Sequence, residues 1–117
     1  MKYMLLIYSD EAIEASMNEA EQQANMGEYF AFTDHVREAG VMVAGEALLP
    51  TQQAATVRVN GGGEMVVSDG PFAETKEQLG GFYILDCETA EEAHQLAAKI
   101  PAAKHGAIEV RPLMVFN

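Results

Sequence analysis

The stretch "GFYILDC", residues 81–87, decides the fold class of this 117-residue chain. Apolar residues occupy both of its alternating faces, and the same is true of the N-terminal stretch "MKYMLLIY", residues 1–8. A strand that is apolar on both faces is typical of a central strand covered on both sides. Two such strands in one chain therefore predict a sheet with a packed layer on each face.

Two segments between the strands switch to helical spacing. In residues 16–40, Ser16 and Glu19 are spaced as a capping box, and Gly40 stands where a helix often ends in a left-handed residue. Residues 89–100 form a second, shorter helix that Pro101 stops. The inward stripe of the first helix is predicted to be Met26, Tyr29, Phe30, Thr33 and Val36.

Four further segments have strand character. They are residues 41–48, 55–60, 64–70 and 107–116. The middle two flank the turn Gly61–Gly63 and predict a hairpin, because glycines allow the positive φ that such a turn needs. Pro112 cannot donate to a ladder, so the last strand should be an edge strand or contain a bulge. Without the hairpin, the order is βαββαβ, the ferredoxin-like α+β arrangement, in a single domain over residues 1–117.

This arrangement places both helices on one face of the sheet, while the opposite face is also apolar. A large exposed apolar face marks an association surface. We therefore expect a homodimer in which sheet faces sheet. The alternative is that the predicted hairpin folds over this face.

The composition excludes several classes of partner. Seven basic and eighteen acidic residues give a formal charge of −11, which argues against nucleic acid and anionic membranes. The single Cys87 rules out an internal disulfide and a Cys-rich zinc site. No apolar run reaches the roughly 18 residues of a membrane span, and no signal peptide precedes the first strand, so we expect a cytoplasmic protein. No histidines have metal-ligand spacing and no nucleotide motif occurs, so we expect no metal and no cofactor.

The stretch "DGPFAETKEQLGG", residues 69–81, is longer than a connector needs to be, since about two to six residues suffice. It contains one aromatic residue, Phe72, before a Gly pair that lets backbone approach closely. Three charged residues lie within four positions of each other: Glu74, Lys76 and Glu77. Either the loop is solvated and salt-bridged, or it holds a ligand. Asp69 alone is explained simply as a turn residue.

The longer segment "DGPFAETKEQLGGFYILD", residues 69–86, closely resembles the YCII-related, or DGPF-domain, proteins. The N-terminal "MKYMLLIY" and the C-terminal "IPAAKHGAIEVRPLM" are similar to the ends of that family. The resemblance implies a ferredoxin-like dimeric α+β barrel and little defined chemistry. Some branches are associated with extracytoplasmic-function sigma factors. For the YciI-like branch an enzymatic mechanism through a His and an Asp has been suggested, but Tyr29 stands at the position of that His, so the mechanism does not carry over whole.

Two hypotheses follow for the function. In the first, a small anionic molecule binds in a cleft between the first helix, the loop and the dimer-facing sheet, and an enzyme would use Asp69, Lys76 and Glu77 as catalytic residues. The substrate-binding residues would be Tyr29, Phe72, Glu74 and Arg111. Arg111 offers a planar donor fork for a carboxylate, and the alternative is an ion pair near Glu109 or with Glu77. In the second hypothesis, the protein is a regulatory or interaction module of a sigma-factor system, and the loop is a contact surface.

Overall fold

The computed structural model describes residues 1–116. It contains six strands: β1 Lys2–Ser9, β2 Met42–Ala47, β3 Ala55–Val59, β4 Met65–Asp69, β5 Gln78–Asp86 and β6 Ala107–Pro112. It also contains three α-helices: α1 Glu11–Ala15, α2 Glu19–Glu38 and α3 Ala90–Ala97. Two short 3-10 helices, Thr51–Gln53 and Pro101–Lys104, complete the described elements.

Four strands form an antiparallel sheet in the order β2-β5-β1-β6. This order is compatible with the ferredoxin-like α+β fold that the strand pattern predicted. The two strands that are apolar on both faces, β1 and β5, are the central pair. β6 lies at an edge, which is one of the two arrangements predicted from Pro112. β3 and β4 pair only with each other and form a separate two-stranded sheet.

The core lies between the helices and one face of the sheet. Its fully buried side chains include Leu5, Leu85, Ile100, Val36 and Cys87. Phe32 of α2 packs edge-on against Tyr83 of β5, with ring centroids 5.0 Å apart. The burial of Cys87 raises the pKa of its thiol, which suits an inert core residue better than a nucleophile.

The opposite sheet face carries the other residues of the central strands. Cross-strand partners share a face, so Leu6, Phe82 and Glu109 lie in one row, and Met4, Ile84 and Arg111 lie in the next. The large apolar side chains of this face are partly exposed: Met4, Leu6, Tyr8, Phe82 and Ile84. We call it the open face, because the helices and the core cluster lie on the other side.

The paired strands β3 and β4 do not cover the open face. Their large apolar side chains are exposed: Val57, Val59, Met65, Val66 and Val67. The described chain measures 49 × 47 × 18 Å, with a radius of gyration of 16.4 Å. A compact chain of this length has a radius of about 13 Å. The β3–β4 arm therefore extends away from the main sheet, and a single chain leaves much apolar surface in contact with water.

The start of α2 corrects one prediction. The helix begins after Asn18, whose side chain accepts from the Glu21 N–H at 2.8 Å while the Glu21 carboxylate accepts from the Asn18 N–H at 3.2 Å. Ser16 and Glu19 do not form the capping box. The hydroxyl of Ser16 instead donates to the carbonyl of Ile13 at 2.6 Å, at the end of α1.

The inward stripe of α2 was also predicted incorrectly in part. Phe30 is 63% exposed and Met26 is 57% exposed, while Phe32 and Val36 are buried. A step of two residues turns a helix by about 200°, so Phe30 and Phe32 point to nearly opposite sides. Gly40 does adopt the predicted left-handed conformation after the helix, with a φ of 75°.

Candidate functional site

The loop of the 69–81 motif begins at the base of the β3–β4 arm. Gly70 has a φ of 96°, and its N–H donates to the carbonyl of Ala54 at 2.8 Å. Its own carbonyl accepts a hydrogen bond from the Thr56 hydroxyl at 2.9 Å. These contacts join the start of the loop to β3 and to Ala54, the residue before it, so both the N–H and the carbonyl of Gly70 are bonded.

The φ of Gly70 leads to a stability prediction. No atom lies within 4 Å of a Cβ built at this position, so a larger residue would cause no steric clash. It would strain the backbone, because its φ is positive. We expect Gly70→Val to destabilise the protein by about 1–3 kcal/mol in urea unfolding. Gly61→Val is the matched control, since Gly61 also has open space around it and lacks a positive φ. Equal stability losses for the two variants would contradict the backbone explanation.

The end of the loop is fixed by a network of side chains. The Gln78 amide donates to the carbonyl of Thr75 at 2.6 Å, and its oxygen accepts from the N–H of Glu11 at 3.0 Å. The Glu11 carboxylate accepts from both the N–H and the hydroxyl of Thr51, at 2.9 and 2.8 Å. The Thr75 hydroxyl donates to the Glu77 carbonyl at 2.6 Å. This network joins the motif to α1 and to the 3-10 helix Thr51–Gln53.

Between these two fixed ends, the loop presents its side chains to solvent. Phe72 is 75% exposed, and the guanidinium carbon of Arg58 lies 4.9 Å from its ring centroid, in cation–π geometry. Glu74 and Lys76 are exposed, and Glu77 is half-buried. Among residues 1–116, no carboxylate oxygen lies within 4.0 Å of the Lys76 amine. The loop is therefore solvated, as one of the two interpretations predicted, but Lys76 forms no ion pair within it.

Tyr29 lies on α2, beside the 3-10 helix Pro101–Lys104. Burial, together with the negative charge of Glu14, raises its pKa to about 12, although a backbone hydrogen bond with Ala102 acts in the opposite direction. Tyr29 is therefore protonated at neutral pH and can donate a hydrogen bond. Glu14 also accepts from the hydroxyl of Ser9 at 2.9 Å, and Ser9 pairs with Gln78 in the ladder. The helix α1 thus connects the surroundings of Tyr29 to the end of the motif.

Arg111 lies away from both groups, on the open face beside Met4. Its guanidinium has no carboxylate within 4.0 Å in the described part of the chain, so the ion pair proposed with Glu77 is not formed. On the same face, the Tyr8 hydroxyl donates to Glu109 at 3.4 Å. Arg111 is therefore available to an anion that approaches the open face.

The profile of the YCII-related domain matches residues 1–117. The chain belongs to the YCII-related family. A protein of Rhizobium meliloti strain 1021, described as uncharacterized, is 41% identical to it over 119 residues. That alignment covers all of this chain and 95% of the relative. The family resemblance inferred from residues 69–86 is thus confirmed along the whole chain, and it assigns no reaction.

The predicted site residues of this YCII-related protein do not all meet within one chain. Five lie in or beside the loop: Asp69, Phe72, Glu74, Lys76 and Glu77. Tyr29 lies on the helix-bearing side and Arg111 on the open face. Two surface grooves, of about 480 and 310 Å³, are lined by other residues. Within residues 1–116, no three His, Cys, Asp or Glu side chains are grouped as metal ligands, and no helix is long and apolar enough to span a bilayer.

Several residues that organise the site were missed by sequence reasoning. They are Ser9, Glu11, Glu14, Thr51 and Gln78. Three of them act in or next to α1, a helix of five residues that is too short to show a periodic apolar stripe. Its signal was Asp10, a preferred N-cap residue whose carboxylate accepts from the Ala12 N–H at 2.9 Å.

Proposed function

We propose that this YCII-related protein is a cytoplasmic homodimer that binds a small anionic molecule in a cleft beside the motif loop, residues 70–77. The second copy completes this cleft. The observation that carries the proposal is the contrast within the loop: both ends are fixed by hydrogen bonds, while Phe72 is 75% exposed beside Arg58 and the Lys76 amine has no carboxylate within 4.0 Å among residues 1–116. A rigid loop with free functional groups is suited to ligand binding.

The homodimer is supported by the surface that one chain leaves uncovered. The open face is apolar along both central strands, and the β3–β4 arm exposes apolar side chains on both of its faces. Packing two open faces against each other would bury the central strands on both sides, as their sequence predicts. The resulting assembly would be the dimeric α+β barrel that the family resemblance implies.

The anionic character of the ligand is supported by where the basic residues lie. The chain has only seven basic residues. Arg58 lies on the β3–β4 arm, Lys76 on the loop and Arg111 on the open face. None of these three side chains has a carboxylate within 4.0 Å among the described residues. Lys76 and Arg111 would hold the anionic group of the ligand.

The remaining candidates would shape the cleft or act on the ligand. Phe72 would form an apolar wall, and Tyr29, whose pKa is raised by burial, would contribute a protonated hydroxyl from the side of α1. If the ligand is transformed, Asp69 or Glu77 would act as the base. Glu74 would contact polar groups of the ligand at the rim of the cleft.

A second candidate function is a non-enzymatic interaction module of an extracytoplasmic-function sigma-factor system. The observation that favours it is the exposure of the motif loop, which lines neither of the two grooves described above. In this case the loop would contact a protein directly. The dimer would then form without a ligand cleft, and small anions would not bind beside Lys76.

Two substitutions distinguish these functions when the free energy of unfolding and the ligand affinity are measured for each variant. Lys76→Met and Glu77→Gln preserve side-chain volume and remove a charge, and each should change the free energy of unfolding by less than about 1 kcal/mol. If Lys76 holds the anionic group, Lys76→Met loses a contact to a charged group worth about 1.5–3 kcal/mol, which is roughly a 10- to 150-fold loss of affinity. If Glu77 is the base, Glu77→Gln abolishes turnover of the ligand without such a loss of affinity. Binding is measured by calorimetry with the best hit from a panel of small carboxylates and phosphate esters.

Arg37→Met is the control, because it removes the same charge at an exposed position in the last turn of α2, away from the loop and the open face. It should leave both stability and binding unchanged. A large loss of stability in Lys76→Met or Glu77→Gln would show that these side chains mainly stabilise the fold. It would contradict the role of the loop in binding.

A further inference from the structure

The helix-bearing side of the protein contains a second candidate binding site, separate from the motif loop. It is a groove of about 310 Å³ between α2 and the segment that follows α3. Its lining residues are Glu28, Ala31, Phe32, His35, Lys99, Pro101 and Lys104. Phe32 is only 5% exposed and is held by its edge-on contact with Tyr83, so the apolar floor of the groove is rigid.

The rim of this groove differs in charge from the rest of the molecule. The chain has a formal charge of −11, yet two of its four lysines, Lys99 and Lys104, converge here with His35. Glu28 is the only acid among the lining residues. Its carboxylate lies 3.8 Å from the Lys104 amine, but both side chains are more than half exposed. Such a pair is weak, so a ligand can engage Lys104 without losing a strong internal contact.

We propose that this groove binds a small monocarboxylate with a planar apolar body. The ring would lie on the floor formed by Phe32 and Pro101, and the carboxylate would lie between Lys99 and Lys104. A volume of about 310 Å³ is at the low end for ligand sites, which favours a ligand with one ring. A sugar phosphate would satisfy the lysines but would place polar groups on the apolar floor, at a cost in desolvation.

This inference does not depend on the proposed function. The groove lies on the face that carries the helices, whereas the proposed dimer contact and the motif loop involve the open face and the β3–β4 arm. Each site can therefore be tested while the other is intact.

The test is a titration of the isotope-labelled wild-type protein with benzoate, followed by amide chemical shifts. We expect saturable shifts at Ala31, Phe32, His35 and Lys99, with a dissociation constant in about the millimolar range for a ligand of this size. Benzamide, which has nearly the same shape and no charge, should bind at least about tenfold more weakly. Raising the salt concentration should weaken benzoate binding, because the lysines are exposed.

Lys99→Met is expected to weaken benzoate binding about tenfold, through loss of one charged contact. Lys2→Met, which removes the same charge elsewhere, should leave the affinity unchanged. The inference is overturned if benzoate and benzamide bind alike, if the shifts map outside the groove, or if Lys99→Met binds as the wild type does. Loss of binding in Lys76→Met alone would assign the carboxylate to the motif loop and would also overturn it.

Discussion

Light scattering at micromolar concentration is expected to give a mass close to twice the 12.7 kDa of one chain, and Ile84→Glu is expected to halve it. Ile84 lies at the centre of the open face, where its cross-strand partners are Met4 and Ala44. In the proposed dimer, a glutamate here would bury an unpaired charge on each copy. That is costly enough to dissociate the dimer and leave the folded monomer.

Phe30→Glu is the matched control for this prediction. It makes the same kind of change at a side chain that is 63% exposed on α2, away from the open face. We expect it to remain dimeric and to unfold at the same denaturant concentration as the wild type. A stable wild-type monomer, or dissociation by Phe30→Glu and not by Ile84→Glu, would contradict the sheet-to-sheet dimer.

The second large effect is expected from the glycine pair that ends the motif. A Cβ added at Gly81 would lie 2.8 Å from the carbonyl oxygen of Glu46 and 3.3 Å from the Cα of Ala47. Both contacts are to the backbone of β2, which pairs with β5 at this point and cannot move independently. At Gly80, the nearest atom is the carbonyl oxygen of Ile7, at 4.0 Å.

We therefore expect Gly81→Ala to destabilise the protein by about 2–3 kcal/mol, through overpacking against β2. Gly80→Ala should be neutral or slightly stabilising, by up to about 1 kcal/mol, because it only restricts the unfolded chain. The measurement is the difference in the midpoint of urea unfolding between the two variants. Equal midpoints would show that β2 and β5 are not paired as closely as described.

The sheet was predictable because its central strands carry their burial pattern in the sequence. β1 and β5 are apolar on both faces, and both occupy the centre of the four-stranded sheet. Pro112 predicted that β6 is an edge strand or contains a bulge, since a residue without an N–H cannot donate to a second ladder, and β6 is an edge strand. The alternation pattern shows which strands are covered on both faces, and the proline limits the hydrogen bonds that its strand can make. Both signals are local in the sequence.

Elements that depend on competing local contacts were less predictable. Both Ser16 and Asn18 are good N-cap residues, and the choice between them depends on α1, which ends at Ser16 and uses its hydroxyl. On α2, Phe30 and Phe32 are equally apolar, and only the position of Tyr83 on the sheet decides which one is buried. Sequence periodicity alone does not contain either piece of information.

The loop of the candidate site was predictable as an element of the chain, but its geometry was not. The turn residues and the glycines of the motif indicated a built loop, and the φ of Gly70 agrees with that. The hydrogen bonds of Gln78 and Glu11 that fix the loop end join segments 67 positions apart in the chain, so no local pattern could reveal them. Lys76 and Arg111 lie on different elements, and their convergence requires the proposed second copy.

Native mass spectrometry of the protein with a panel of small carboxylates and phosphate esters tests the central claim most directly, because it reports assembly and ligand together. The account predicts a wild-type dimer that retains one small anion per cleft, and a Lys76→Met dimer that retains none. A wild-type dimer that takes up no anion beside the loop, or an anion-bound monomer, would contradict it.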